Sequence, residues 1–482
     1  MRVLLIYGNR SRELHPAPPI GLAYVATATR RAGHDVRLLD LVGRPVSEVR
    51  AHVTDFAPDV VGLSIRNIDN VVRQRPAWHL TDASDLARAV RESTRAPIVL
   101  GGPAVSILGA SILDHVDADA AVAGEGEETF PRLLSALAAG EPATGIPGVF
   151  ARGAGRAVAV APRRLAGFGP SRMEAWIDWR PYEATGTTWP IQTRRGCGMR
   201  CSYCAYPAIE GRTARLRAPK DVADEIARVR DRVAPRTFEF VDSIFNVPSE
   251  HAEAVCAEIA GRRLGVRLTA MVNPRATSAR LFDVMGRAGF NSMIVTAEAA
   301  SDTMLANLRK GFTVEDVRRT ADLARRSGIA SLWFFMLGGP GETRETVEET
   351  VSFVERHLAW RGCAAVFMTG IRVLPGTTLE REAVRDGVVP AGHPLVEPTF
   401  YVSPGVDEGW VLDRINRALR RCPSIVHGAE EGTSACERMI GRLGPALGIA
   451  PPYWRFLPLV LRVPPVPTLR RWRPPLGRRA LA

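Results

Sequence analysis

The residues best suited to chemistry stand close together, in the run Arg195-Gly196-Cys197-Gly198-Met199-Arg200-Cys201-Ser202-Tyr203-Cys204. The spacing puts the thiols of Cys197, Cys201 and Cys204 on one tight loop, directly after an apolar run, Pro190–Thr193, that reads as a strand. Thiolates so arranged can hold three irons of a 4Fe–4S cube and leave the fourth iron open to a small chelating molecule. A structural zinc would want a fourth Cys or His nearby. The next cysteine, Cys256, lies on a helical pattern far along the chain. The cysteine total, seven, is odd, and such crowding suits a metal in a reducing compartment better than a disulfide framework.

Two alternating regions must position this loop. From residue 1 to about 150, short apolar runs alternate with helical patterns: Val3–Tyr7, Val36–Leu39, Val60–Ile65, Ile98–Leu100 and Ala120–Ala123. Strands buried on both faces and separated by helices predict an α/β fold with a doubly wound parallel sheet. The turns Gly8-Asn9, Arg66-Asn67, Gly101-Gly102-Pro103 and Gly124-Glu125-Gly126-Glu127 fall at the carboxyl ends of these strands, where such folds place ligands. Residues 151–187, rich in Gly, Pro and Arg, read as a linker. Residues 188–390 carry six further βα units, enough for a partial (β/α)6 barrel. The rest, 391–482, reads as a small, mainly helical and irregular region.

The triplet resembles the radical S-adenosylmethionine (SAM) superfamily signature, Cys-x3-Cys-x-aromatic-Cys, with Tyr203 as the aromatic. The resemblance continues along the barrel. Phe240-Val241-Asp242-Ser243-Ile244-Phe245-Asn246 is similar to the segment that meets the methionine amino group, which implies Asp242 and Ser243 there. Ser243 stands where many relatives have a second acid. Thr296-Ala297-Glu298-Ala299 resembles the pattern whose glutamate binds the SAM ribose, with Ala299 in place of serine. Asn307-Leu308-Arg309-Lys310-Gly311 resembles the family's Asn-Lys-Gly turn. The turns at Gly338-Gly339-Pro340-Gly341-Glu342 and Arg372-Val373-Leu374-Pro375 follow the fifth and sixth strands. The resemblance thus implies Tyr203, Asp242, Ser243, Glu298, Lys310, Gly338, Gly339 and Arg372 as SAM contacts.

The first region resembles the Rossmann-like cobalamin-binding domain of that superfamily's cobalamin-dependent branch, through Pro18-Pro19-Ile20-Gly21-Leu22-Ala23-Tyr24 and the two glycine turns. The resemblance implies that Gly101, Gly102, Pro103, Gly124, Glu125, Gly126 and Glu127 lie against cobalamin. Ser64, Arg66 and Asn67 would sit where relatives cover its lower face. The Asp-x-His-x-x-Gly motif that supplies a cobalt-ligating histidine elsewhere is absent, and Asp114-His115 has the wrong spacing and place.

Together these features resemble the class B radical SAM methyltransferases over residues 1–390. The cofactors implied are a 4Fe–4S cluster, SAM and methylcobalamin. The implied reaction is hydrogen abstraction by a 5′-deoxyadenosyl radical from an unactivated carbon, expected to be sp3, of a small-molecule or lipid intermediate, followed by methyl transfer. Cyclisation or ring rearrangement without methyl transfer is the alternative, and no catalytic side chain is assigned. A flavodoxin- or ferredoxin-type protein would supply electrons.

The net charge of +12 invites a nucleic-acid reading, but only Lys220 and Lys310 among the 63 basic residues are lysines. Nine of those net charges are arginines after Glu437. The tail has few aromatic residues to stack on bases, so no nucleic acid is expected. That tail either packs over the barrel or docks on an anionic membrane or a partner. The first apolar run is too short for a signal peptide, so a cytoplasmic location is expected. From the missing histidine motif, the EPR spectrum of bound cob(II)alamin is expected to lack coordination by a protein histidine nitrogen.

Overall fold

The computed structural model describes residues 1–8, 15–152, 160–427 and 443–460. The turn residue Asn9, the seventh cysteine Cys436 and the arginine-rich stretch 461–482 lie outside the described residues.

The first sheet contains β1 (Arg2–Tyr7), β2 (Asp35–Asp40), β3 (Val60–Ser64), β4 (Ile98–Gly101), β5 (Ala120–Val122) and β6 (Val149–Ala151). Their order is β2-β1-β3-β4-β5-β6, with β1 to β5 parallel and β6 antiparallel at the edge. Alternation explains the continuous apolar runs. Leu4 and Ile6 of β1 enter one core, while Val3, Leu5 and Tyr7 enter another on the opposite face. The chain leaves β1 for β2 on one side and returns for β3 on the other. This switch opens a crevice at the carboxyl ends of β1 and β3.

Between the sheets, the irregular segment is packed. Tyr182 is fully buried, stacks on Trp179, and donates to Asp40 Oδ2 at 2.8 Å. Trp176 Nε1 donates to Thr27 Oγ1 at 2.9 Å.

The second sheet begins with β7 (Trp189–Ile191), and an antiparallel pair, β8 (Arg194–Arg195) with β9 (Arg215–Leu216), follows it. β10 (Phe238–Phe240), β11 (Leu268–Val272), β12 (Ser292–Glu298), β13 (Ala330–Leu337) and β14 (Cys363–Thr369) complete the six expected strands. A second small pair, β15 (Ile371–Arg372) with β16 (Phe400–Tyr401), leads away from the barrel mouth. β17 (Ile425–His427) then adds a seventh parallel strand beside β14. The order is β17-β14-β13-β12-β11-β10-β7, an open arc. Three residues gave no apolar run long enough to reveal β17 in the sequence.

The described end of the chain packs against the amino ends of this arc. Thr237 Oγ1 donates to the Pro451 carbonyl at 2.8 Å, and Leu457 and Trp454 cover Leu332, Ala364 and Val366. No helix among the described residues is long and apolar enough to cross a membrane.

The two sheets are tied by the loop after β3. Asp69 Oδ2 accepts from Arg372 Nε at 2.6 Å, with both side chains almost wholly buried. Arg73 pairs with Glu408, and Gln74 donates to Thr369 Oγ1. This corrects the expectation for Arg372 as a SAM contact. Besides Asp69, its guanidinium donates to the carbonyls of Val373, Leu395 and Val396, leaving no nitrogen for a ligand. The β15–β16 pair turns it toward the first domain. Replacing Arg372 by Leu should strand the Asp69 carboxylate in the interface and cost about 3–5 kcal/mol. A urea titration of the variant measures that loss.

Candidate functional site

The cysteine loop is braced from several directions. Gly196 has φ +86°, and a Cβ there would lie 2.1 Å from the Thr213 carbonyl oxygen, so only glycine fits the turn into Cys197. The Gly196 amide donates to Glu210 Oε2 at 3.0 Å, and the Cys197 amide to the Gly211 carbonyl at 3.0 Å. The Ser202 amide donates to the Leu308 carbonyl at 3.0 Å. Cys197 packs with Met199 and Ile244, and Cys201 joins them. Burial pushes the Cys204 thiol up to about 11 and also raises Cys201, while the Lys310 ammonium opposes both.

The donor set is all thiol. Among the described residues no three His, Cys, Asp or Glu side chains converge as a lone metal ion requires. A cube takes one thiolate per iron, at separate corners, so spaced thiols on one loop, with Cys197 buried and Cys201 and Cys204 partly so, fit it. The Oγ atoms of Ser202 and Ser243 are buried without a partner, and Ser243 adjoins Ile244 of the cysteine cluster. Such orphaned groups fit a site that binds a polar ligand.

The structure gives several expected SAM contacts other work. Asp242 is 2% exposed and accepts from the Thr193 amide at 2.8 Å, Thr193 Oγ1 at 2.6 Å and the Arg194 amide at 3.1 Å. Burial pushes its carboxyl up to about 7 against those bonds. It therefore props the strand leading to the cysteines, and Ser243 is the neighbour with an unsatisfied atom.

Glu298 ends β12 at φ +67°. Lys310 Nζ stands 3.7 Å from its carboxylate and donates to Tyr203 Oη at 3.1 Å. Lys310 is 2% exposed, so it links Tyr203 to Glu298 from inside the protein. The amides of Gly338 and Gly339 both point to Glu342 Oε2, at 3.0 and 3.4 Å, and neither is free for a ligand.

A cavity of about 670 Å³ opens at the switch point between the sheets. All ten residues expected against cobalamin line it: Ser64, Arg66, Asn67, Gly101, Gly102, Pro103, Gly124, Glu125, Gly126 and Glu127. At Gly102, with φ +100°, a Cβ would lie 2.5 Å from the Ile65 carbonyl oxygen, so glycine is required where the cavity wall turns. The barrel supplies the opposite wall through Pro190, Gln192, Arg195, Tyr206, Glu210 and Val241. The cavity's size, its two glycine turns and its largely apolar wall fit a large planar cofactor. Arg66 is exposed and lines the cavity, and among the described residues its guanidinium donates to Asn67 Oδ1 at 3.1 Å and to no other side chain. Glu125 and Glu127 are not free, because they pair with Arg215 and Arg195 at 2.6 and 2.7 Å. Sequence reasoning missed Arg215 and Glu210 and gave Arg195 no role of its own. It placed Glu342 on the turn after the fifth strand but not as the acceptor of that turn's own amides.

Comparison with known proteins agrees with this layout. Residues 14–134 match the B12 binding domain and residues 191–354 the Radical SAM superfamily. The chain is 27% identical over 346 residues to an uncharacterized methyltransferase of Pyrococcus horikoshii, spanning 70% of this chain and 73% of that one. It is 25% identical over 450 residues to the tryptophan 2-C-methyltransferase of Streptomyces laurentii, spanning 78% and 74%. The fold is similar to that of the radical SAM methyltransferase TsrM from Kitasatospora setae, solved with cobalamin and a 4Fe–4S cluster. That likeness has a TM-score of 0.81 and 23% identity, over 95% of this chain and 97% of that one. The cobalamin-dependent enzyme OxsB matches with a TM-score of 0.69 and 14% identity, over 87% and 67%. With the two family matches in this order, the chain is a radical SAM enzyme carrying an N-terminal B12-binding domain, resembling the class B methyltransferases.

Proposed function

We propose that this protein is a cobalamin-dependent radical SAM methyltransferase that methylates an unactivated carbon of a small molecule. The observation that carries this reading is the shared cavity. Its one wall is the B12-binding domain, and its other contains Arg195, two residues before the first cysteine of the triplet. When bound, the cluster and SAM supply a hydrogen-abstracting radical, and methylcobalamin supplies the methyl group.

The chain's own residues provide placement and exclusion of water. Cys197, Cys201 and Cys204 would hold the cluster. Ser243 and Glu298, backed by Lys310 and Tyr203, would orient SAM. Gly101 to Pro103 and Gly124 to Glu127 would cradle the corrin and its tail, with Arg66 and Asn67 beneath the ring. Electrons would come from a flavodoxin- or ferredoxin-type donor. Methyl transfer is favoured over cyclisation by relatives with methylase names, including the hopanoid C-3 methylase of Methylococcus capsulatus, 26% identical over 369 residues.

Incubation of the reconstituted protein with candidate extracts should yield 5′-deoxyadenosine and a product heavier by one methylene unit. Cys204→Ala should abolish both while leaving cobalamin content intact. Equal amounts of 5′-deoxyadenosine with a product of unchanged carbon count would instead establish cyclisation or rearrangement.

The strut role of Asp242 has a pH signature. Its folded-state pKa, about 7, lies above the ordinary value of 3.8, so its protonated form stabilises the fold. That contribution is complete below about pH 4 and is lost as pH rises through about 7. Urea midpoints of wild type and Asp242→Asn, compared across this window, should diverge, with wild type losing more stability as pH rises.

A further inference from the structure

Along the second sheet, alternate side chains face the helices. Phe238 and Phe240, Ala270 and Val272, Val295 and Ala297, and Trp333 and Phe335 all belong to that core. The side chains between them face the concave side of the arc. There, Glu239, Met271, Thr296, Phe334, Met336 and Met368 are each partly exposed, although their neighbours along the strands are buried. Glu239 and Phe334 lie midway along their strands and the other four lie one or two residues from the carboxyl ends, and a filled barrel would bury inward positions at both levels. Their exposure marks an open chamber on the concave face.

The chamber has a floor and a mouth. Leu457 and Trp454 cover its lower end against Leu332, Ala364 and Val366. At the upper end Pro190, Gln192 and Val241, which follow the same inward alternation on their strands, also line the cofactor cavity. The chamber is thus continuous with the space where a corrin fits.

Its wall is apolar and adaptable. Methionine side chains are flexible and polarizable, and fit irregular or aromatic bodies. One ionisable group interrupts the wall midway along a strand. Glu239 accepts from Thr188 Oγ1, and among the described residues no lysine, arginine or histidine forms an ion pair with it. Burial raises its carboxyl above the ordinary range, and Arg66 acts on it electrostatically from the first domain. A carboxylate held in an apolar wall with unused acceptor capacity is best satisfied by a charged or N–H donor on the occupant.

We infer that the chamber binds the substrate, and that this substrate is an apolar, ring-containing amine whose nitrogen meets Glu239. The inference rests on the methyltransferase reading only in calling the occupant the substrate. Binding can be measured without turnover.

Isothermal titration of the fully reconstituted chain with naphthylethylamine and naphthylacetate supplies the test. The amine should bind about tenfold or more tighter than the acid, the difference expected from a hydrogen bond to a charged group. Glu239→Gln should erase that preference. Met336→Trp, which fills the chamber, should abolish binding of both probes, with cobalamin and iron content unchanged. Thr188→Val, which removes the competing hydroxyl, should keep or enlarge the preference, so the inference stays testable if the Glu239 variant does not fold. Equal or tighter binding of the acid, a preference that survives Glu239→Gln, a preference lost in Thr188→Val, or binding of both probes unaffected by Met336→Trp would overturn it. So would no binding of either probe by fully loaded protein. Failure of the methyltransferase reading would look different: turnover without a methylated product, alongside an intact amine preference.

Discussion

Four charges buried between the two sheets hold the site together. Glu125 and Glu127 come from the turn after β5, and Arg195 and Arg215 from the pair of short strands that carries the cysteine loop. Burying four charges is costly, and close pairing with further hydrogen bonds must offset it. Glu127 Oε1 has the Arg195 guanidinium at 2.7 Å but no hydrogen bond, and the other three charges are better held. Glu125 also accepts from the Leu165 amide at 2.7 Å, and the Arg195 guanidinium lies 4.4 Å from the centres of both the Tyr24 and Phe168 rings. Burial works to raise the Glu125 carboxyl, but Arg215 and the Leu165 amide overcome it and hold it below its ordinary value. What the cluster contributes is orientation more than net stability.

Orientation matters because of where Arg195 sits. Gly196 follows it, and Cys197 comes next. Any tilt of the cobalamin-binding domain about this contact moves the first thiol, since the turn at Gly196 is pressed against Thr213 and cannot absorb the change. The Asp69–Arg372 pair fixes the other side of the same interface, where the loop after β3 crosses to β15. One wall of the cavity is thereby held against the other at two separated points. The gap between the first domain and the barrel mouth is held by contacts within the chain itself.

How much of this was legible in the sequence follows from how local each feature is. The cysteine loop was readable because three thiols for one cluster must lie within a few residues. Most strands of both sheets were readable because burial leaves continuous apolar runs, whereas β6 and β17, three residues each, were not. The ten residues expected against cobalamin stand at or just after strand ends, and they do meet in one cavity. Direction was not readable. Arg372 and Asp242 stand at the expected strand ends, yet one points into the domain interface and the other to the segment that leads into the cysteine loop. Glu239 was hidden because it sits inside an apolar run, where its neighbours Phe238 and Phe240 carry the strand signal. Glu210 and Glu342 act through backbone amides, which leave no trace in residue spacing.

Those carboxylates share one device. Asp242 accepts from two consecutive amides, Thr193 and Arg194, and from a threonine hydroxyl. Glu342 does the same for Gly338, Gly339 and Thr346. Glu210 takes the Gly196 amide and the Gln192 side chain. In each case a buried acid fixes a turn at the carboxyl end of a strand, where ligands meet the barrel. An acid committed to backbone amides is poorly placed to shuttle protons. For hydrolytic chemistry that would be a wasteful use of buried acids. For radical chemistry the need is different: a reactive carbon must be held still and kept from water and from stray side chains. A mouth whose acids serve as rigid struts meets that need. It leaves Glu239, in the chamber wall away from these turns, as the acid best placed to meet a substrate.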